Sequence, residues 1–362
     1  MKRLFGFLLM AQLAAGAFGG EFVEAYLIMA EPGGELYSCA GHAALRLKCD
    51  TYKLDFCYSY ESEPVSERVL TFLAGRLKMG MFAVPTEKYL SFYRDDRRGV
   101  RQYRLDLPED AKKRLCKVMD DKVKEGVTLP YDFLERGCAQ SALQCLIEAL
   151  KPLPIDFGHW PDHILAKTRR ELFSDGLDRF PWNRFFVYTL VGSEGDELVA
   201  PVKRVVMPRD LLAVLRQAKV AGRPVITGEG EQLVESQPIA AASWFSPCVA
   251  GALVLLLALL SWVKALGRFL RPLLYGLYVA IAVFYTYLVF LSNLPATSWH
   301  WLVVPFNVLP IVFWKWRAKW RWCFAGVLVL WLAAMVAAPH RLTDPAYYLV
   351  VGAVVALLAR KW

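Results

Sequence analysis

Five long apolar runs fill the last third of the chain, at about residues 246–265, 271–292, 299–315, 322–338 and 345–360. Each approaches the ~20 residues a helix needs to cross bilayer hydrocarbon. The sequence therefore predicts a five-helix transmembrane domain over 245–362. Nothing before Trp244 has this character beyond a short N-terminal run, so residues 20–244 read as a separate, water-facing part. The net charge of +9 follows the same division: residues 245–362 hold ten Lys or Arg and a single acid, Asp344. The first 244 residues are neutral overall, which removes the basic patch that a nucleic-acid partner would require.

Those cations sit in loops, where they set orientation. "KALGRFLR", "KWRAKWR" and the terminal "ARKW" are basic, whereas "SNLPATSWH" is uncharged and "APHRLTD" nearly balanced. The pattern places the C-terminus in the cytoplasm and residues 20–244 outside. The N-terminal "MKRLFGFLLMAQLAAGAFGG" leads to the same side: two cations, a short apolar run and small residues describe a signal peptide over 1–19, cleaved after Ala17 or Gly19. No Cys follows those small residues, so the chain is not expected to be a lipoprotein itself. Tryptophans crowd the run ends (Trp244, Trp262, Trp299, Trp301, Trp314, Trp316, Trp320, Trp322), as an interfacial belt would. The third run carries Pro305, Asn307 and Pro310. It reads either as a broken segment beside a lipid-facing groove or as a kinked helix whose Asn307 bonds a neighbour's backbone.

The outer part reads as an α+β domain over 20–150 with a small antiparallel sheet, followed by an extension and linker over 151–244. Strands are expected at 22–32, 41–49, 52–60 and 99–107, with a tight hairpin at Asp50-Thr51. Helices are expected at 66–77 and 85–96, capped by Ser66 and Thr86, at 108–126, and from Gly137 to about Leu150. Cys138 falls where the last of these begins. A helix N-terminus carries partial positive charge and free N–H groups, which lower a thiol pKa and can receive an oxyanion. His42, on a predicted strand, supplies the base that a thiol nucleophile needs. The same two residues also fit a buried structural cysteine and a satisfied core histidine, and spacing alone does not separate the readings. Cys39, Cys49, Cys57, Cys116 and Cys145 have no readable disulfide pattern. Cys138 and Cys145, seven residues apart on one helix, lie too far apart to bridge. No metal site is expected: His159 and His163 are separated by Pro161 and read as a surface turn. No cofactor is expected either.

"ELYSCAGHAALRL", "DFCYSY", "FLAGRLKMGMF", "YRDDRRGVRQYRLDLP" and "YDFLERGCAQ" together resemble the outer domain of the Lnb lipoprotein N-acyltransferases. "PWNRFFVYTLVG", "VMPRDLLAVL" and the five-run tail with "WLVVPFNVLP" extend the resemblance over nearly the whole chain. It implies a circularly permuted, NlpC-like papain fold in a periplasmic domain of a multi-pass protein of the bacterial inner membrane. It also implies that Cys138 is the nucleophile and His42 the general base. The chain departs from the family at Gly137-Cys138-Ala139, where Asn-Cys-Thr is usual, and at Ser59, where an Asn is usual. An imidazole-orienting residue should come from the strand after His42. Asp55 and Ser59 share one face there by period-two alternation, and Tyr131 is a further possible site residue or an ordinary packing aromatic.

The implied reaction takes an acyl chain from a membrane phospholipid through a Cys thioester. The chain then passes to the α-amine of a diacylglyceryl-cysteine lipoprotein. Five spans fit such bilayer-anchored substrates better than a soluble wall peptide. Three rivals keep the same residues: a membrane-tethered cysteine amidase or peptidase, a phospholipase-like hydrolase, and a non-catalytic lipid- or lipoprotein-binding protein.

Overall fold

The computed structural model describes residues 23–35, 37–65, 67–237, 244–338, 341 and 344–359. The signal segment over 1–19 and the Ser66 cap lie outside them. The chain forms two compact units: one from the described parts of 1–69, 77–167 and 199–240, the other from 70–76, 168–198 and 241–362. The stretch 151–244, which reads from sequence as one extension and linker, is thus divided between them.

The first unit is built on a seven-stranded antiparallel sheet. Its strands are β1 (Glu24–Ala30), β2 (His42–Cys49), β3 (Leu54–Ser62), β4 (Lys78–Pro85), β5 (Val100–Arg104), β6 (Leu129–Pro130) and β10 (Glu231–Val234), in the order β10-β5-β1-β2-β3-β4-β6. A three-stranded ribbon holds β7 (Ile155–Asp156), β8 (Lys219–Val220) and β9 (Arg223–Pro224). Five helices accompany them: α1 (Thr86–Asp95), α2 (Glu109–Glu125), α3 (Cys138–Leu150), α4 (Asp162–Ala166) and α5 (Pro208–Gln217). The sheet is covered on both faces because its strands alternate. Ala43, Leu45 and Leu47 pack with Tyr58, Leu115, Leu143 and Leu146 in one core. On the other face Ala44 and Cys57 pack under Tyr89, Leu90 and Tyr93 of α1. Val205, Leu211 and Leu215 complete the first core, which is why 199–237 belongs to this unit.

Several expected elements shift. The helix expected over 66–77 is only Val69–Leu73, and β4 follows where the sequence pattern predicts no strand. Thr86 does not cap α1: Pro85 holds the N-cap position, and the Thr86 hydroxyl donates to Asp55 Oδ1 at 2.5 Å instead. The hairpin between β2 and β3 does form, closed by Lys53 N–H on the Asp50 carbonyl at 3.1 Å.

In the second unit, four apolar helices occupy Pro247–Leu260, Lys264–Phe290, Arg317–Ala337 and Pro345–Ala359. Two, Lys264–Phe290 and the stretch Lys319–Ala337, are long and apolar enough to cross a membrane; the other two are shorter. Gly251 lets the first and last helices approach, since a Cβ there would sit 3.1 Å from the Ala346 carbonyl. The third apolar run is not a helix, which corrects the five-helix expectation. It folds as 3-10 turns at Trp301–Val303 and Trp314–Trp316 flanking a single α-turn at Leu309–Val312. Pro305 and Pro310 remove two amide donors, and Asn307 takes over their work locally. Its side chain donates to the Val304 carbonyl at 2.6 Å and accepts from Leu309 N–H at 3.0 Å. Tyr278 of the neighbouring helix donates to the Asn307 carbonyl at 2.6 Å. Phe306 lines an apolar hollow with Val254, Leu274, Tyr278, Val350 and Leu357.

Segment 168–198 joins this unit through a buried polar knot. Arg170, fully buried, clasps Asp196 at 2.6 Å and the Gly192 carbonyl at 2.7 Å, and Trp301 Nε1 donates to Asp196 at 3.2 Å.

Candidate functional site

The chain enters β2 through a turn that only glycine accommodates. Gly41 sits at φ +74, and a Cβ there would lie 2.8 Å from the Ala30 carbonyl. Its N–H bonds the Ser38 carbonyl at 2.9 Å, so the loop closes and delivers His42 as the first residue of the strand. In the β2–β3 register Leu45 faces Tyr58. Carried three residues further, that register brings His42 opposite Glu61.

The imidazole is held there by two side chains of β3. His42 Nε2 lies 2.5 Å from Ser59 Oγ and 3.4 Å from Glu61 Oε1, and the Ser59 hydroxyl donates to Glu61 Oε1 at 2.7 Å. Ser59 is buried, while Glu61 keeps nearly half of its side chain exposed.

Cys138 arrives from the other direction. Asp132 Oδ1 accepts from the N–H groups of Leu134 and Glu135, both at 3.0 Å, and folds the segment before the helix. Gly137 takes the N-cap position without a side-chain cap, and its carbonyl accepts from Ser141 N–H at 2.9 Å. Ala139, Ala142, Leu143 and Leu146 bury α3 in the core, whereas Cys138 remains half-buried at its start. The His42 ring and the Ala43 backbone both act to stabilise the thiolate of Cys138.

Electrostatics separate this thiol from its neighbours. Burial raises the Cys138 pKa, but the His42 charge, the hydrogen bond with His42 and the Ala43 N–H together bring it below the ordinary thiol value. Burial likewise lowers His42, yet the charge on Cys138, Tyr93 and Glu61 holds it well above the ordinary imidazole value. Each group thus favours the charged form of the other. Cys57, Cys116 and Cys145 go the other way: burial pushes their thiols up to about 11, 12 and 12.

The structure thus brings Cys138, His42 and Ser59 together. Tyr131 lies close enough for charge on Cys138 to raise its phenol, which burial first and that charge second push up to about 12. It therefore stays an O–H donor at neutral pH. Asp55 does not join them. It sits opposite Lys48, six residues along β2 from His42, and its carboxylate grips Arg46 at 2.7 and 2.5 Å and Thr86 at 2.5 Å. Glu61 is the residue that the sequence pattern does not single out. The alternation that selects Asp55 and Ser59 continues to it, but β3, expected to end at Tyr60, runs to Ser62. The paired histidines are also separate: His159 meets Asp162 at 3.1 Å and His163 meets Asp210 at 3.2 Å.

The first unit is therefore an α+β domain with a polarised Cys–His pair at a helix start. Comparison with known families gives this part of the chain a relative: residues 16–163 match the family described as the Lnb N-terminal periplasmic domain. That match supports a Lnb-like protein with a periplasmic N-terminal domain, and with the apolar helices it fits a membrane protein. No curated protein and no solved structure matches the chain.

Proposed function

We propose that the chain N-acylates bacterial lipoproteins, using Cys138 as nucleophile and a membrane phospholipid as acyl donor. The observation that carries the reading is the Cys138–His42 pair at the start of α3, with its thiol pKa lowered while three other thiols are raised. Nε2 of His42 is held by Ser59, which leaves Nδ1 to exchange a proton with the thiol. The thiolate attacks the ester carbonyl of the phospholipid. The first N–H groups of α3 face the oxyanion, and Gly137 adds no amide of its own. Collapse breaks the ester C–O bond, the imidazolium returns its proton to the departing alkoxide, and a lysophospholipid leaves. The α-amine of a diacylglyceryl-cysteine lipoprotein then attacks the thioester, His42 takes its proton, and an amide forms as the thiolate is released. This is covalent catalysis with ping-pong kinetics.

The sheet and helix order, with the His strand before the Cys helix, we read as a permuted papain-like arrangement. The apolar helices and the broken third run we read as five membrane passes of the inner membrane, with the C-terminus in the cytoplasm. Tethering the site to the bilayer confines both lipid substrates to one plane with it. The signal segment and the loop charges support a periplasmic thiol domain, on the side where diacylglyceryl lipoproteins would be displayed.

The test is mass spectrometry of a lipoprotein N-terminal peptide from cells carrying the native chain, Cys138→Ser or His42→Ala. Triacylated peptide should appear only with the native chain. Triacylation by both variants would eliminate the mechanism, and a peptide diacylated in every strain would point to the hydrolase readings.

A further inference from the structure

The hairpin tip that precedes β4 is clasped onto the end of the longest apolar helix. Residues 70–76 belong to the second unit, with the loop that follows Lys264–Phe290. Ser292 Oγ donates to the Leu73 carbonyl at 2.5 Å, and Asn293 N–H donates to the Ala74 carbonyl at 3.3 Å. These carbonyls end a short helix and would otherwise face solvent unpaired. Gly75, at φ +68, approaches so closely that a Cβ would lie 2.0 Å from Asn293 C. Only glycine permits that contact.

We infer that this clasp seats Leu70 in the outer leaflet of a phospholipid bilayer. Leu70 is 82% exposed, although it is a large apolar side chain. Ala74 N–H bonds the Leu70 carbonyl at 3.0 Å, so Leu70 stands one helical turn, about 5 Å, from the clasp. Beside that clasp the helix Lys264–Phe290 ends in two further exposed apolar residues, Phe290 at 65% and Leu291 at 72%. Isolated exposed leucines are ordinary. An exposed leucine pinned by backbone hydrogen bonds to the end of a membrane helix continues that helix's lipid-facing surface, and bilayer lipid is the occupant that fits. Arg76, also exposed and in the same segment, supplies a cation suited to headgroup phosphates. The loop charges independently place residues 292–300 on the outer side, the side on which a signal peptide would leave residues 70–76.

The inference rests on the membrane reading of Lys264–Phe290 and not on the chemistry at Cys138. It is tested with nitroxide labels in the full chain, reconstituted into phosphatidylethanolamine–phosphatidylglycerol vesicles. The labels are attached at Leu70→Cys, at Val283→Cys within the helix, and at the exposed Lys113→Cys of α2, each in a Cys323→Ser background. The signal of the unsubstituted background is subtracted. Collision with oxygen reports lipid, and collision with a water-soluble nickel chelate reports water. The oxygen-to-nickel ratio at Leu70 should exceed that at Lys113 several-fold and fall below that at Val283. A Leu70 ratio equal to Lys113, with Val283 in lipid, overturns the inference while the membrane reading stands. A Val283 label in water removes both.

Discussion

At the thiol, burial and charge pull in opposite directions, and the balance sets a pH window. The Cys138 pKa is lowered from the ordinary thiol value and that of His42 is raised above the ordinary imidazole value, and both shifts favour coexistence of thiolate and imidazolium. Below the thiol's pKa the thiolate protonates; above the imidazole's pKa the proton needed by the leaving group is lost. The rate should therefore follow a bell in pH. Glu61 raises both pKa values, and its replacement tests that directly. Glu61→Gln should move both limbs of the kcat/KM profile toward acid, whereas an unmoved profile would show that the carboxylate does not act on the pair. Ser59→Ala removes the hydroxyl's hydrogen bonds with His42 and Glu61; with the one that holds the imidazole worth about 1 kcal/mol, kcat/KM should fall roughly fivefold to tenfold. The helix start at Cys138 and the two-residue alternation that offers Asp55 and Ser59 are local patterns and legible in the sequence; that His42 lies beside Cys138 is not, because spacing alone also fits two core residues and only the family resemblance pairs them. Glu61 is not legible either, because choosing it over Asp55 requires the β2–β3 register, and register is a property of two strands.

Among elements, the hairpin tip at Gly75 offers the sharpest test. A β-carbon there meets strain from the positive φ and a collision with the Asn293 backbone, whereas Gly222, at φ +79, has open space around it. Gly222→Ala should cost about 1 kcal/mol from φ strain alone. Gly75→Ala should cost clearly more, seen as a lower melting temperature of the detergent-purified chain. Equal losses would mean that the clasp contributes nothing to stability. Here too the local sequence pattern misleads: the expected helix over 66–77 stops at Leu73 and β4 follows. The helix ends at a glycine cap, with Gly75 at φ +68, its N–H on the Phe72 carbonyl at 2.8 Å and Arg76 N–H on the Thr71 carbonyl at 3.0 Å, so Gly75 and not the apolar periodicity marks the end. The third apolar run shows the converse. Its two prolines and Asn307 announce a break, and the 3-10 turns at its ends are the form that break takes.

Across the whole molecule, the division at Trp244 is legible because hydropathy and charge sort by region. The membership of 168–198 is not, because it depends on the buried Arg170–Asp196–Trp301 knot, whose members are far apart in sequence. The proposed topology rests on loop charge, and it predicts that a C-terminal fluorescent-protein fusion will fold and fluoresce, as it would in the cytoplasm; a dark fusion with active C-terminal alkaline phosphatase would invert the arrangement. The central claim is that Cys138 carries the acyl chain, and it has a direct measurement. The purified full-length chain is incubated with phospholipid and no lipoprotein, then analysed by intact-protein and peptide mass spectrometry. The account predicts one acyl group on the Cys138 peptide, removed by hydroxylamine, with an equivalent of lysophospholipid formed and no adduct in Cys138→Ser. Lysophospholipid produced equally by native and Cys138→Ser protein, with no acyl-thioester on either, would contradict it.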